Sequence, residues 1–465
     1  MKRFYGYIRK SGEQVGFPLA GTWHWWHKDE ILSMFGDQNV DDQDFFREGN
    51  LVFFIDGCVQ PNEQSGQTLQ QEIISLYHRF GESFVDHVSG EFAIVVWDSE
   101  RQTLCCFRDH FGTRPFFYRE DSFGFMFSND MRLLSSFAKT DEFSQEWMAD
   151  LLAGTISKKH ETPFRDIYRL PPAHFLTLGK SFHVSIKKYW DLDLTTELSD
   201  ISGDEASGRF RYLLERAVRM RMPGTSPIGS ELSGGLDSTV IASLVNGFCK
   251  AKKCDFHTFS HVMDDADLNN HFPFTDEREY ISQVVKFCGM EHHHFIHPGK
   301  STILDALEEG LNIQGAPTQQ RFYEFSDLLY ARAKNQGVEV LFSGFGGDEG
   351  VSSHGGGYLH ELMFKGNGIE VWKELGRKND HVLKRVYQWL MISTQVHFFG
   401  MYDKISRHTG SEYQRIHEKI NQLPLQKHII KQYDVHGRAQ QNSRFPNDRL
   451  LKQRQYKRIM HPHVS

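Results

Sequence analysis

The sequence has no run of apolar residues approaching the roughly 20 that a membrane-spanning helix needs. Its first residues, Met-Lys-Arg-Phe-Tyr-Gly, contain no long apolar segment of the secretory kind, so a cytoplasmic location and no membrane partner are the expectation. Cysteine is scarce, with six residues at 58, 105, 106, 249, 254 and 288. They form no Cys-x-x-Cys pair and no Cys/His spacing of a zinc site, which predicts reduced, mostly buried thiols. Excess positive charge is lacking too. With 53 Lys and Arg against 60 Asp and Glu, the net charge of −7 gives no electrostatic reason to expect nucleic acid.

What is present describes a soluble globular chain, 39% hydrophobic and 24% charged, whose 465 residues suit two buried cores rather than one. Residues 1 to about 190 read as short strands at 51–55, 91–97, 103–107, 116–118 and 124–127, with a helical rhythm at 72–80. That pattern predicts an α+β layered sheet domain. The 38 phenylalanines fall in such runs and suit sheet packing. Residues 191–208 are rich in Asp, Ser, Thr and Gly without apolar periodicity, which places a linker there and domains at 1–195 and 205–465. Beyond it, a helix at 210–218 leads into strands at 255–261, 291–296 and 338–343, alternating with helices at 276–288, 304–310 and 324–334. Such alternation predicts an α/β doubly wound parallel sheet with ligands beyond the carboxyl ends of its strands.

One stretch organises the second domain. Residues 228–245 read Ile-Gly-Ser-Glu-Leu-Ser-Gly-Gly-Leu-Asp-Ser-Thr-Val-Ile-Ala-Ser-Leu-Val: a strand, a paired-glycine turn and an apolar helix. Ser233, Gly234 and Gly235 let backbone N–H groups converge on an anion at the helix's positive end, and Ser238 and Thr239 add donors. No lysine follows as in a Walker A loop. Asp237 stands in the turn instead, where it tolerates phosphate only across a divalent cation. A second loop, Ser343-Gly-Phe-Gly-Gly-Asp-Glu349, follows the strand at 338–343. Its Asp348 is a second carboxylate able to share magnesium with Asp237.

Ser-Gly-Gly-Leu-Asp-Ser resembles the pyrophosphate loop of the ATP-pyrophosphatases, and the second loop matches the Ser-Gly-x-Gly-x-Asp-Glu of asparagine synthetases. The resemblance implies ATP and Mg2+ as cofactors. It implies ATP and pyrophosphate contacts at Leu232, Ser233, Gly234, Gly235, Asp237, Ser238, Ser260, Ser343 and Gly344, and metal ligation by Asp237 and Asp348. By the same analogy, Leu232 and the strand end at Phe259 and Ser260 border adenine, and Asp276-Glu277 opens the next helix. In the first domain, 89–98 with Leu104-Cys-Cys-Phe-Arg-Asp-His-Phe-Gly-Thr-Arg-Pro-Phe-Phe-Tyr118, then Leu170-Pro-Pro-Ala-His174 and Tyr189-Trp190, resemble the class II glutamine amidotransferase domain of the same family. Its N-terminal nucleophile-type fold is the implied one.

The glutaminase residues of that family are missing from the matching positions. Lys2 stands where the nucleophilic cysteine would, and no cysteine precedes Cys58. Asp56-Gly57-Cys58 replaces the family's Asn-Gly-Glu, and Gln70 replaces the acidic residue that grips glutamine. The expectation is a domain that keeps its fold without the glutaminase, Cys58 having no α-amine to act as its base.

In the second loop, ammonia-using relatives carry Glu where this chain has Phe345, and a phenyl ring moves no protons. Aromatic residues there are similar to those of ring-closing relatives, the β-lactam synthetases and the lasso-peptide cyclases, and Gly346 to Glu349 with 351–355 looks most like the latter. Phe345 as simple packing stays the other reading. The implied reaction is adenylation of a side-chain carboxylate and amide formation with an amine, as in peptide macrolactam closure. A small-molecule or peptide substrate with a free carboxylate, a precursor peptide and a companion maturation enzyme are the partners this reading implies. Asparagine synthesis from ammonia and a catalytically incomplete binding or scaffold protein are the alternatives. The family's downstream lysine has no match before Ser465, which leaves Lys452 and Lys457 as stand-ins or as solvated surface, and leaves a truncated C-terminus or completion by another chain as open readings. His292, His293, His294 and His297 invite a metal, but strand alternation puts His293 on the face opposite His292 and His294.

Overall fold

The computed structural model describes residues 2–10, 23–193, 201–397 and Tyr433, apart from breaks at 30, 42, 64–65, 123, 139–142, 154–159, 223–226, 264–276, 300–302, 318–322, 351–357 and 379–380. The chain divides into two compact units, 1–194 together with 355–465, and 195–354.

In the first unit the strands are β1 (Phe4–Arg9), β2 (Trp23–Lys28), β3 (Leu32–Asp37), β4 (Phe45–Glu48), β5 (Leu51–Pro61), β6 (Val88–Asp98), β7 (Thr103–Arg108), β8 (Phe117–Glu120), β9 (Gly124–Ser128), β10 (Tyr168–Arg169), β11 (His174–Leu178) and β12 (Val184–Lys188). They form two antiparallel sheets ordered β10-β8-β9-β1-β3-β2 and β12-β11-β7-β6-β5-β4. Phe4, Ile8, Leu32 and Phe125 of the first sheet meet Val52, Phe54, Val95, Trp97 and Leu176 of the second in one core. The opposite face of the second sheet, with Phe53, Ile55, Ile94 and Phe107, is covered by Ile73 of helix α1 (Leu69–Phe80) and by Phe84 and Val85. Both faces being buried explains why Leu51 to Ile55 is apolar at every position instead of alternating. Thr68 and Gln71 cap α1 reciprocally. Helices α2 (Met131–Ala138) and α3 (Gln145–Ala153) complete the residues before the linker.

The segment Arg108 to Arg114, quoted above for its resemblance, is a structural clip. The fully buried Arg108 guanidinium donates to the carbonyls of Arg114 (2.7 Å), Leu170 (2.7 Å) and Gly112 (2.6 Å). The Asp109 carboxylate accepts the backbone N–H groups of Phe111, Thr113 and Arg114. Its own carbonyl accepts Ala173 N–H, so the Leu170-Pro-Pro-Ala turn is tied to the same point.

The second unit opens with α4 (Gly203–Met220), which begins earlier than the helix expected at 210–218. Ser202 accepts Glu205 N–H as N-cap, and Asp204 and Glu205 favour the positive first turn, so capping chemistry extends the helix into the polar linker. Strands β13 (Ile228–Glu231), β14 (Phe256–His261), β15 (His292–Ile296) and β16 (Val340–Phe342) form a parallel sheet ordered β15-β14-β13-β16. The intervening helices are α5 (Leu236–Lys252), α6 (Arg278–Cys288), α7 (Ile303–Gln314) and α8 (Tyr323–Asn335). On one sheet face Ile228 and Phe342 pack with Ala242, Val245 and Cys249 of α5 and Ile281 of α6. On the other, Phe259 and Ile296 pack with Leu329 and Ala333 of α8. The helical segments after the sheet are α9 (Gly347–Gly350), α10 (Tyr358–Phe364), α11 (Gly368–Lys378) and α12 (Val382–His397), and the last three share a small core of Met363, Val371, Leu375 and Ile392. The sequence also reads as helical through 382–405, and residues 398–405 of that stretch lie outside the described residues.

Among the described residues no helix is long and apolar enough to cross a membrane. All six cysteines are free thiols: Cys105, Cys106 and Cys249 are buried, Cys254 and Cys288 half-buried, and Cys58 exposed. Replacing Arg108 by Leu strands three buried carbonyls, each worth about 1–3 kcal/mol when left unsatisfied. Urea unfolding followed by tryptophan fluorescence should show the first unit destabilised by at least about 3 kcal/mol, with Arg108→Lys recovering only part of the loss.

Candidate nucleotide site

The parallel register sets the site. Ser230 pairs with Phe342, so one step further along the two strands Glu231 and Ser343 stand side by side, at the point where both chains leave the sheet. Ser343 Oγ donates to the Glu231 carboxylate at 2.6 Å and accepts Phe345 N–H at 3.1 Å. On the other flank, Leu232 N–H donates to Phe259 O at 2.9 Å, and Ser260 Oγ donates to Leu232 O. Leu232, Phe259 and Ser260 are buried.

The first loop is knit by its own hydroxyls. Ser233 Oγ and Ser238 Oγ lie 2.9 Å apart, Ser233 N–H donates to Ser238 Oγ, Gly235 N–H donates to Ser233 Oγ, and Ser238 Oγ reaches Gly235 O at 3.2 Å. Gly234 takes φ +80° to make the turn. Gly235 is the N-cap of α5 and no side chain caps it, while the first intrahelical donor at this end is Thr239 N–H to Gly235 O. The N–H groups of the first turn of α5 precede that first bond, at the end of a helix where anions bind.

The second loop lies directly on this helix start. A Cβ on Gly344 would sit 2.5 Å from Ser238 N, and one on Gly347 would sit 2.3 Å from Asp237 Cγ. Only glycine allows both approaches. Asp237 therefore abuts the residue preceding Asp348. Two carboxylates completed by phosphate oxygens and water are a usual set for magnesium, and the close cradle at Gly347 fits that role. Among the described residues no group of three His, Cys, Asp or Glu side chains forms a self-sufficient metal cage. Asp276, Lys452 and Lys457 lie outside the described residues.

Glu231 is a feature that sequence reading passed over, since it ends the strand just ahead of the glycine turn. Burial pushes its carboxyl above the usual range, with the Ser343 hydrogen bond working against that shift. Tyr330 of α8 is raised as well, by burial first and then by the charges of Glu231 and Asp327. Phe345 is 60% exposed, so among the described residues its ring is no core packing element.

The histidines form a separate group. His257 of β14 stacks on His292 at 4.8 Å and on His294 at 5.4 Å, and its Nδ1 lies 3.1 Å from His294 Nε2. His293, on the other face of the strand, has Nδ1 at 2.8 Å from Thr258 Oγ1.

These geometries describe a pair of glycine loops at the carboxyl ends of adjacent parallel strands, and residues 209–458 match the family model for asparagine synthase. The chain belongs to the asparagine synthase family. Residues 63–190 match the glutamine amidotransferase domain. Among relatives, this family member is 28% identical over 286 residues to asparagine synthetase [glutamine-hydrolyzing] 3 of Bacillus subtilis, covering 60% of this chain and 45% of that one. It is 26% identical over 309 residues to amidase chry2 of Gibberella zeae, covering 62% and 42%. It is 23% identical over 304 residues to asparagine synthetase B of Escherichia coli, covering 62% and 47%. The chain spans about half the length of these curated relatives.

Lys2, Asp56 and Cys58, which the sequence reading set against the glutaminase residues, lie ahead of the amidotransferase match, in the first unit. Lys2 Nζ is held by the Asp44 carboxylate at 2.6 and 2.7 Å, and by Asp41. Asp56 is buried and accepts Asn129 Nδ2 at 3.0 Å, with Arg114 at 3.8 Å. Cys58 is on the exposed side of β5.

Burial, helped by the neighbouring His294, lowers the pKa of His293 to about 4. An unfolded histidine titrates near 6.5, so between those values the unfolded chain binds more protons than the folded one. Stability should therefore fall as pH drops from about 6.5 towards 4. Denaturant titrations across that window should show a shallower fall in His293→Asn, which keeps a side-chain partner for Thr258 without a titrating ring.

Proposed function

We propose that the chain is an ATP-dependent amide ligase that adenylates a side-chain carboxylate and joins it to an amine, in the manner of peptide macrolactam closure. The observation that supports this reading is the contact of Gly344 and Gly347 with Ser238 and Asp237, which brings the second glycine loop against the start of α5. In this reading Ser233, Gly234, Gly235 and Ser238 hold the pyrophosphate end of ATP, with the α5 amides facing its negative charge. Leu232, Ser260, Ser343 and Gly344 border the nucleoside, and Asp237 with Asp348 would hold magnesium. The metal supplies charge neutralisation as pyrophosphate departs. The substrate carboxylate displaces pyrophosphate from the α-phosphorus, and the amine then displaces AMP.

Exposed Phe345 in the second loop, instead of an acid, supports an amine carried by the substrate over free ammonia. The Lys2 ammonium, tied to Asp44, offers no nucleophile for glutamine, which supports a first unit that serves as scaffold. Asparagine synthesis is the second reading, favoured by relatives named as asparagine synthetases. A binding protein without turnover is the third, and the intact Asp237 and Asp348 weigh against it.

ATP/pyrophosphate exchange with magnesium, run with aspartate and with peptides bearing an acidic side chain, should be supported by the peptides and abolished in Asp237→Ala. Gly347→Ala, whose new methyl overlaps Asp237, should lose about tenfold or more, as overpacking costs about 1–3 kcal/mol. Exchange supported by aspartate alone would turn the assignment to asparagine, and no exchange with any acceptor would refute the ligase reading. Incubation with glutamine should release glutamate no faster than buffer, and faster release would restore a glutaminase to the first unit.

A further inference from the structure

The amine that attacks an activated carboxyl group must lose a proton, and where the family's second loop carries its acid this chain has Phe345, which has no titratable atom. The carboxylate that the fold brings to the same place comes from the first strand. Glu231 ends β13, next to Leu232 and the first loop, and its Oε2 is 2.6 Å from Ser343 Oγ, which is in turn 3.1 Å from Phe345 N. Two hydrogen bonds thus separate this carboxylate from the residue that replaces the family's acid. Side chains alternate along a strand, so Glu231 shares its face with Gly229 rather than with Ser230 or Leu232. A Cβ on Gly229 would meet Leu341, Val338 and Phe259, which identifies that face as the one packed by α8. Glu231 is therefore directed away from the α5 core, at the carboxyl end of the sheet where ligands of this architecture sit. An acidic residue at that strand end has no packing value and costs desolvation, and the Ser343 hydroxyl offsets only part of it.

We propose that Glu231 is the proton acceptor for the attacking amine, so that the site keeps a base for amide formation although Phe345 stands where the family's acid would. The assignment rests on the ligase reading above. In the step, the amine nitrogen forms a bond to the acyl carbon and the bond from that carbon to the AMP oxygen breaks, its electron pair leaving with AMP. The proton released from nitrogen passes to the Glu231 carboxylate and from there to solvent. Burial, which raises the carboxyl pKa, makes the ionised form a stronger base than an exposed glutamate. The titratable groups facing it are Tyr330 from α8 and, within hydrogen-bond reach, none but the neutral Ser343 hydroxyl among the described residues.

The test separates the two half-reactions in the full-length chain. Glu231→Gln retains an oxygen for Ser343 to donate to and cannot take a proton at neutral pH. Pyrophosphate exchange should fall no more than about threefold, while single-turnover amide formation falls about 100-fold, the lower end of what a positioned base contributes. Wild-type amide formation should rise with pH through one ionisation, and that rise should vanish in Glu231→Gln. Formate added to Glu231→Ala should restore part of the amide rate, an effect no purely positional role produces. Equal losses in both half-reactions without formate rescue would make Glu231 a positioning group for Ser343 and overturn the assignment. An unchanged amide rate in Glu231→Gln would overturn it as well. Wild-type protein inert in exchange would instead remove the ligase reading and this assignment with it, an outcome distinct from the other two.

Discussion

The approach of one backbone to another governs the second unit. Gly344 and Gly347 leave no room for a side chain between the second loop and the first turn of α5. The register of β13 against β16 delivers both loops to the same level, and the two glycines convert that adjacency into contact. Any Cβ there would displace the loops, and with them the separation of Asp237 from Asp348. The hydroxyl web of Ser233 and Ser238 then fixes the first loop from within.

The first unit rests on a different device. Two antiparallel sheets share one core, and a helix covers the outer face of the second sheet, so β5 and β6 are buried on both sides. Corners at the ends of such sheets expose carbonyl groups that the ladders do not use. Arg108 satisfies three of them with its donors, while the Asp109 carboxylate accepts the N–H groups of the adjoining turn.

Much of this was legible in the sequence. Continuous apolar runs marked β5 to β7, and the alternation of strand and helix after residue 227 marked the parallel sheet. Paired glycines with aspartate marked both loops. Other strands were not: Phe4–Arg9 is paired by Gly124–Ser128, far along the chain, and Val184–Lys188 is a half-exposed edge strand whose one neighbour is His174–Leu178. The early start of α4 was hidden because Ser, Asp and Glu look like linker until one sees Ser202 accept Glu205 N–H. Glu231 was hidden for the opposite reason. Its neighbours spell a motif so distinct that the acid ahead of the glycines drew no notice, and the register with β16 reveals its partner.

The Arg108 clip has a consequence for how this unit tolerates change. Its three carbonyl partners come from the adjoining turn and from Leu170, far along the chain, so the strength of the corner resides in main-chain atoms that every amino acid possesses. The Lys2 side chain is held elsewhere, by Asp44, and Asp56 meets the segment at the Arg114 side chain rather than at these carbonyls. Substitution there can erase or alter chemistry while the architecture stands, because shape and reactivity in this unit are stored in different sets of atoms.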